Sequence, residues 1–249
     1  MRQGNHFLRM ANNIKGFLIT SHIELERIGQ VQNLTSQLPL LAKVEAIYPA
    51  HQKIPFLQQL LKRSFERTGH ALSNGELGCL LSHRKVWQMI VAKNNDPEQT
   101  YLVLESDSSI VSLDLLTHQF ESMSKEFDLF FWGAWEGHMK LCRSTVHKNK
   151  DGFVYGKPLL KSVYCTYGYS LNKRAAQLLL KRTKKIAYPV DQFKKMIIED
   201  ELRMGGVNPE VISTIGQRQS YIQKNRNQLK EFFWWILLDF KNSIICYFK

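Results

Sequence analysis

Apolar and polar positions along this chain switch repeatedly between a strand-like and a helix-like spacing. Phe17 to Thr20 is a short apolar run that predicts a first strand, followed by a polar, helix-like stretch from about Leu25 to Leu38. Glu45 to Tyr48 predicts a second strand, closed by Pro49. A longer helix is expected from about Gly75 to Lys93. Leu77, Leu80, Leu81, Trp87, Ile90 and Val91 recur there at helical intervals, and Ser73 and Glu76 stand at capping-box spacing. The run Asn94-Asn95-Asp96-Pro97 ends it. Tyr101 to Leu104 reads as a buried strand, residues 113–126 as a helix, and Phe127 to Trp132 as another buried strand. Alternating strands and helices predict an α/β domain with a mainly parallel central sheet. In such sheets ligands gather at the carboxyl ends of the strands.

One strand end stands out. In LVLESDSSI an apolar run delivers Glu105 and Asp107 one residue apart, followed by two serines. Acids and serines after a strand suit a turn, and two carboxylates on alternate positions suit a cation site. Both readings stand on spacing alone. If the strand alternation continues, Glu105 and Asp107 share one target and Ser106 faces elsewhere. The stretch GELGCLLSHRKVW adds Gly75 and Gly78, which permit close approach of a backbone or a ligand. It also adds Ser82, His83 and Arg84, polar groups on an otherwise apolar helix, which internal hydrogen bonds could satisfy.

Composition narrows the partners. Of 249 residues, 44% are hydrophobic, ordinary for a globular protein, and 34 Lys+Arg against 22 Asp+Glu leave a net charge of +12. That surplus favours anionic ligands such as phosphates, nucleic acid or an acidic membrane face. The charge is scattered and no nucleic-acid-binding motif appears, so nucleic acid is not an expected partner. Cys79, Cys142, Cys165 and Cys246 form no CxxC pair, which points to a reducing compartment. The segments Phe7-Leu8 and Phe17–Ile19 are too short for a secretory core. The longest apolar run, Phe232 to Leu238, is about a third of the roughly 20 residues that cross a bilayer. A cytoplasmic location is expected.

Taken together, GELGCLLSHRKVWQMI and YLVLESDSSI resemble the signature of glycosyltransferase family 25, the bacterial lipooligosaccharide galactosyltransferase-like enzymes. Their pattern is roughly G-E-x-G-C-x-x-S-H, a helix, then an apolar strand ending in L-E-D-D. FLITSHIELERIGQVQNL, VEAIYPA, FDLFFWG, TYGYSLNKRAAQLLL and YPVDQF match further blocks in order, so the likeness runs from about Gly16 to Thr214. Ser106 departs from the family's middle acid, which bears on metal affinity. The resemblance implies a GT-A-type nucleotide-sugar-binding fold over residues 1–215. It also implies transfer of galactose from UDP-galactose to a lipooligosaccharide or other surface glycan, with inversion, making the chain a hexosyltransferase of the β-galactosyl kind.

Such chemistry explains the residue types. Charge builds on the departing diphosphate, and a hard divalent cation, Mn2+ or Mg2+, held by carboxylates neutralises it. Asp107 is the expected direct ligand, with Glu105 on the cation or the ribose. Arg27 and Lys85 are candidates for the pyrophosphate; both read equally as solvated surface charges, Lys85 more so. Thr20, Gly78, Ser82, His83 and Tyr169 are assigned to the nucleotide side of the cleft, and the resemblance implies that Tyr167-Gly168-Tyr169 lines the donor or acceptor cleft. Inversion needs a base for the acceptor hydroxyl. Asp191 is the leading candidate, with a helix N-cap as its plain alternative. Glu136, between Trp132 and Trp135, is the second candidate for the base. Glu199, Asp200 and Glu201 read as a solvated acidic face within a helix.

The segment 216–249 is a basic, aromatic extension. As a helix, NQLKEFFWWILLDFKNSIICYFK is apolar on nearly all sides with Lys230, Lys241 and Lys249 flanking it. That suits peripheral contact with an anionic membrane on its cytoplasmic face, where a glycolipid acceptor would lie, or packing on the domain. Two other functions remain open: a metal-dependent phosphohydrolase, and a non-catalytic sugar-nucleotide-binding protein.

Overall fold

The computed structural model describes residues 13–93, 96–215, 237–239, 241–243 and 245–246. Its centre is an eight-stranded sheet in the order β2-β1-β3-β8-β5-β9-β7-β6. The strands are β1 (Gly16–Thr20), β2 (Leu41–Glu45), β3 (Tyr101–Glu105), β5 (Leu129–Gly133), β6 (His147–Lys148), β7 (Val154–Gly156), β8 (Gly168–Leu171) and β9 (Met204–Val207). A separate antiparallel pair joins β4 (Ser108–Ile110) to β10 (Ile212–Thr214).

The sheet is mixed. β2, β1 and β3 run parallel, as do β5 and β9. β8 lies antiparallel between β3 and β5, and β7 is antiparallel to both β9 and β6. The expected mainly parallel sheet therefore holds among β2, β1 and β3 and again between β5 and β9, and is broken by β8 and by β7. Nothing in the local pattern of GYSL tells its direction, because a strand buried on both faces reads the same either way.

Alternation along the strands supplies two cores. Phe17, Ile19, Val103, Phe131 and Tyr169 face helices α3 (Asn74–Lys93) and α5 (Lys173–Arg182), where Leu77, Leu80, Trp87, Ala176 and Leu179 are buried against them. Leu18, Leu102, Leu104, Phe130 and Trp132 face α1 (Ile28–Gln37) and α4 (Leu113–Glu126), meeting Leu34, Leu116 and Phe120. Trp132 stacks on Phe120 at 5.7 Å and belongs to this core. Helix α2 (Leu57–Thr68) and the short α6 (Phe193–Met196) are the remaining α-helices of residues 13–93 and 96–215.

Local signals place most boundaries. Ser73 and Glu76 form the capping box at the start of α3: each backbone N–H donates to the other's side chain, at 2.8 and 3.2 Å. Helix α4 spans the predicted residues, with the Ser112 hydroxyl accepting from Leu115 N–H. The stretch from Leu25 splits into a 3-10 turn, Leu25–Arg27, and α1. The second strand occupies Leu41–Glu45, not Glu45–Tyr48. Ala46 N–H still bonds Thr20 O, but Ile47 N–H is captured by the Ser82 hydroxyl at 2.8 Å, which draws the chain off the sheet and over α3. The strand predicted from Phe127 starts at Leu129, because Asp128 is held at its mouth by Arg203 and Asn172. The acidic run 199–201 is not helical. Helix α6 ends at Met196, Asp200 adopts φ 70°, and Lys157 and Arg182 pair with Asp200 and Glu201.

Among the described residues no helix is long and apolar enough to cross a membrane. Of the extension, residues 237–239, 241–243 and 245–246 are helical. Asp239 pairs with Lys140 of the domain at 2.8 Å, and Asn242 and Cys246 are buried. The aromatic run Phe232–Trp235 lies outside the described residues.

Candidate functional site

Because β1, β2 and β3 are parallel, their carboxyl ends open on one edge, and the chain leaving each builds one wall of a cavity of about 550 Å³. The segment after β1 contributes Ile23, Glu24 and Arg27; that after β2, Ile47 to His51; the last residue of β3 and the turn after it, Glu105, Ser106 and Asp107. The first turns of α3 close the site with Asn74, Gly75, Cys79, Ser82 and His83.

Gly78 explains how the second wall comes so close. A Cβ there would sit 2.4 Å from Ile47 O and 2.7 Å from Pro49 Cδ, so only glycine lets residues 47–49 lie against the helix. Ser82 staples the same loop, donating to Gly78 O and accepting from Ile47 N–H.

Arg27 organises the acidic side. Its guanidinium is 10% exposed and donates from Nη1 to Glu24 Oε1 at 2.9 Å and to the Ser106 hydroxyl at 2.8 Å; Nη2 lies 3.5 Å from Asp107 Oδ2. Glu24, also buried, accepts further bonds from Ser21 N–H and the Tyr48 hydroxyl. The strand stops at Glu105, and Ser106–Asp107 form the turn into β4. Alternation therefore lapses, and Ser106, expected to face elsewhere, lines the cavity as an acceptor for Arg27. The turn and the acidic cluster are one feature.

Behind Glu105 runs a buried chain of hydrogen bonds. Trp87 Nε1 can only donate, and it gives its hydrogen to Tyr169 Oη at 2.9 Å. The Tyr169 proton is then directed at His83 Nδ1, 2.8 Å away. That leaves the imidazole hydrogen on Nε2, aimed at Glu105 Oε1 at 3.3 Å. Burial pushes the Tyr169 hydroxyl well above its ordinary range, keeping it an O–H donor. The Thr166 hydroxyl also donates to Glu105 Oε1.

These surroundings separate the two acids. Burial alone would raise Glu105, but bonds from His83 and Thr166 and the Arg27 charge outweigh it and hold the carboxyl below its usual value. Asp107 moves the other way. Burial and then the Glu105 charge push it up to about 6, against the pull of Arg27. Its Oδ1 is buried without a hydrogen-bond partner among the described residues. An oxygen so placed, crowded by negative charge, fits a hard cation, which Glu105 and Asp107 could hold.

The sequence-nominated residues divide accordingly. Arg27, Ser82, His83, Glu105 and Asp107 come together in the cavity wall. Gly78 and Thr20 act on its frame, Thr20 by accepting from Ala46 N–H. Lys85 reaches back to Glu45 O at 3.1 Å. Tyr167 and Tyr169, expected in the lining, are both buried, and Tyr169 braces His83 from behind. Asp191 is half-buried outside the lining, yet its charge reaches Cys79 and helps burial raise that thiol. The cap of α6 falls on Gln192, so Asp191 is not its N-cap. Glu136 is exposed at φ 50°, its N–H bonded to Tyr167 Oη, which donates to Glu210. Sequence reasoning missed Glu24, Tyr48 and Thr166. Only Glu24 left a local trace, three residues before Arg27.

A family model described as "Glycosyltransferase family 25 (LPS biosynthesis protein)" matches residues 25–194, more than half of the chain. The chain belongs to glycosyltransferase family 25. Relatives within the family include procollagen galactosyltransferase 1 of Danio rerio, 30% identical over 131 residues, which are 50% of this chain and 20% of that protein. Inactive glycosyltransferase 25 family member 3 of Homo sapiens is 29% identical over 141 residues, 53% of this chain and 22% of that protein. This family 25 chain thus aligns with about a fifth of the length of these relatives. The matched region contains every residue of the cavity except those before Leu25.

Proposed function

We propose that this family 25 chain is an inverting hexosyltransferase that moves galactose from UDP-galactose to a lipooligosaccharide or related glycan acceptor. The buried, unpartnered Oδ1 of Asp107 carries the reading, on a cavity wall that also presents the Arg27 guanidinium. The galactosyl donor is supported by the Danio rerio relative's name, and the acceptor class by the family's description.

In this reading Arg27, always charged and clamped by Glu24 and Ser106, orients the diphosphate of the donor. Glu105 and Asp107 would hold a divalent cation, manganese or magnesium, which would supply positive charge to the leaving diphosphate. The acceptor hydroxyl oxygen bonds to the anomeric carbon as the bond from that carbon to the diphosphate oxygen breaks. Its proton passes to the Asp191 carboxylate, with Glu136 as the alternative base. Asp239 pairing with Lys140 ties the described part of the extension to the domain, and membrane contact by its aromatic run is part of the proposal.

A second reading, a non-catalytic sugar-nucleotide binder, is favoured by relatives in Homo sapiens and Bos taurus whose names call them inactive or probably so. Calorimetric titration with UDP, with and without manganese, tests the shared site. Transfer from radiolabelled UDP-galactose then separates the readings. Asp107→Asn should lower turnover by about a hundredfold or more, the usual scale for losing one preorganised charge-stabilising group. Unchanged turnover defeats the cation assignment, and no turnover in the unsubstituted chain with UDP bound leaves the binder.

A further inference from the structure

The cavity contains a second set of donors that differs in chemistry from the Asp107 side. Cys79 and His83 are four residues apart on α3 and so present side chains on one helix face. Glu105 approaches them from the end of β3. One ligand atom from each of the three, sulfur, imidazole nitrogen and carboxylate oxygen, lies within 4.8 Å of the others. All three residues line the cavity, so an ion has a path to them.

We propose that Cys79 Sγ, His83 Nε2 and the Glu105 carboxylate form a binding site for a thiophilic divalent cation, zinc above all, distinct from the hard-cation position at Asp107. Three protein donors of mixed sulfur, nitrogen and oxygen type suit zinc with its fourth position open to the cavity. A ligating imidazole needs its other nitrogen fixed by a partner, and Tyr169 Oη already stands 2.8 Å from Nδ1. Thr166 fixes the Glu105 carboxylate in the same way.

Proton changes follow from the existing bonds. On binding, the Cys79 thiol gives one proton to solvent. His83 keeps one hydrogen but carries it on Nδ1, donated to Tyr169 Oη, which still accepts from Trp87, while the Tyr169 hydroxyl hydrogen gives up Nδ1 as its acceptor. The Nε2 lone pair then points at the ion instead of a hydrogen at Glu105. Zinc therefore replaces the His83–Glu105 bond and withdraws Glu105 from the Asp107 side. Occupancy of this site would antagonise any use of Glu105 in holding a hard cation.

The test needs neither donor nor acceptor, so it stands whether or not the chain transfers sugar. Cobalt(II) added to the full chain should titrate to one equivalent with a thiolate-to-cobalt charge-transfer band in the near ultraviolet. Zinc should displace it and excess magnesium should not. Cys79→Ser should abolish the band and weaken cobalt binding at least about tenfold, while Cys165→Ser keeps both. Absence of the band in the unsubstituted chain, or its survival in Cys79→Ser, overturns the proposal. If Cys79→Ser does not fold, the unsubstituted chain decides. Zinc should shield Cys79 from a methanethiosulfonate reagent, read on the Cys79 peptide by mass spectrometry, and unchanged labelling rejects the site.

Discussion

Removing a single oxygen, in Tyr169→Phe, tests whether the chain behind Glu105 does what its geometry implies. Phenylalanine fills nearly the same volume, so no cavity term enters. What is lost is the one atom that Trp87 Nε1 and His83 Nδ1 both contact, at 2.9 and 2.8 Å. Both partners are 0% exposed, so water cannot replace it. Each of the two buried groups left without a partner costs about 1–3 kcal/mol, giving about 2–6 kcal/mol in all. Urea unfolding followed by tryptophan fluorescence should show the unfolding free energy falling by that amount, through a lower midpoint at unchanged slope. Tyr167→Phe is the control. Its hydroxyl also makes two bonds, to Glu136 N–H and Glu210, but Glu136 is exposed and Glu210 half-buried, so the loss should be about 1 kcal/mol. A stability change for Tyr169→Phe no larger than for Tyr167→Phe would refute the directed chain of bonds.

Three further perturbations probe the frame. Arg27→Ala leaves Glu24, 3% exposed, as a buried charge that has lost its cation, and should destabilise by about 3–5 kcal/mol on urea unfolding. Gly78→Ala forces Ile47 O away from a new Cβ; a cost of about 1–3 kcal/mol and weaker UDP binding by calorimetry are expected. Asp128 titrates low: burial would raise it, but Arg203's bonds and charge and the Asn172 bond outweigh that. Its stabilisation is therefore complete above the ordinary carboxylate value near pH 4 and is lost as pH falls through the lower folded value. Asp128→Asn should lower Tm at pH 7, and the deficit relative to the unsubstituted chain should shrink below about pH 4.

Reading the chain residue by residue recovers whatever is set within a few residues. The capping box at Ser73 and Glu76, the span of α4 and the strands around Leu18 and Val103 all obey local spacing, because their hydrogen bonds and burial pattern repeat every two to four positions. The acids at 105 and 107 were conspicuous for the same reason, an apolar run ending in charge. The family blocks added Arg27 and His83, whose positions alone say little. Long-range pairing decided the rest. The direction of β8 depends on which strands flank it, not on GYSL itself. Ser106 turned inward because Arg27, 79 residues earlier, supplies its partner, and Ile47 left the sheet because Ser82 took its N–H. Tyr169 became a brace when α3 laid His83 and Trp87 against β8. Such bonds join residues tens of positions apart, and only a folded chain that excludes water from them makes their choice of partner matter.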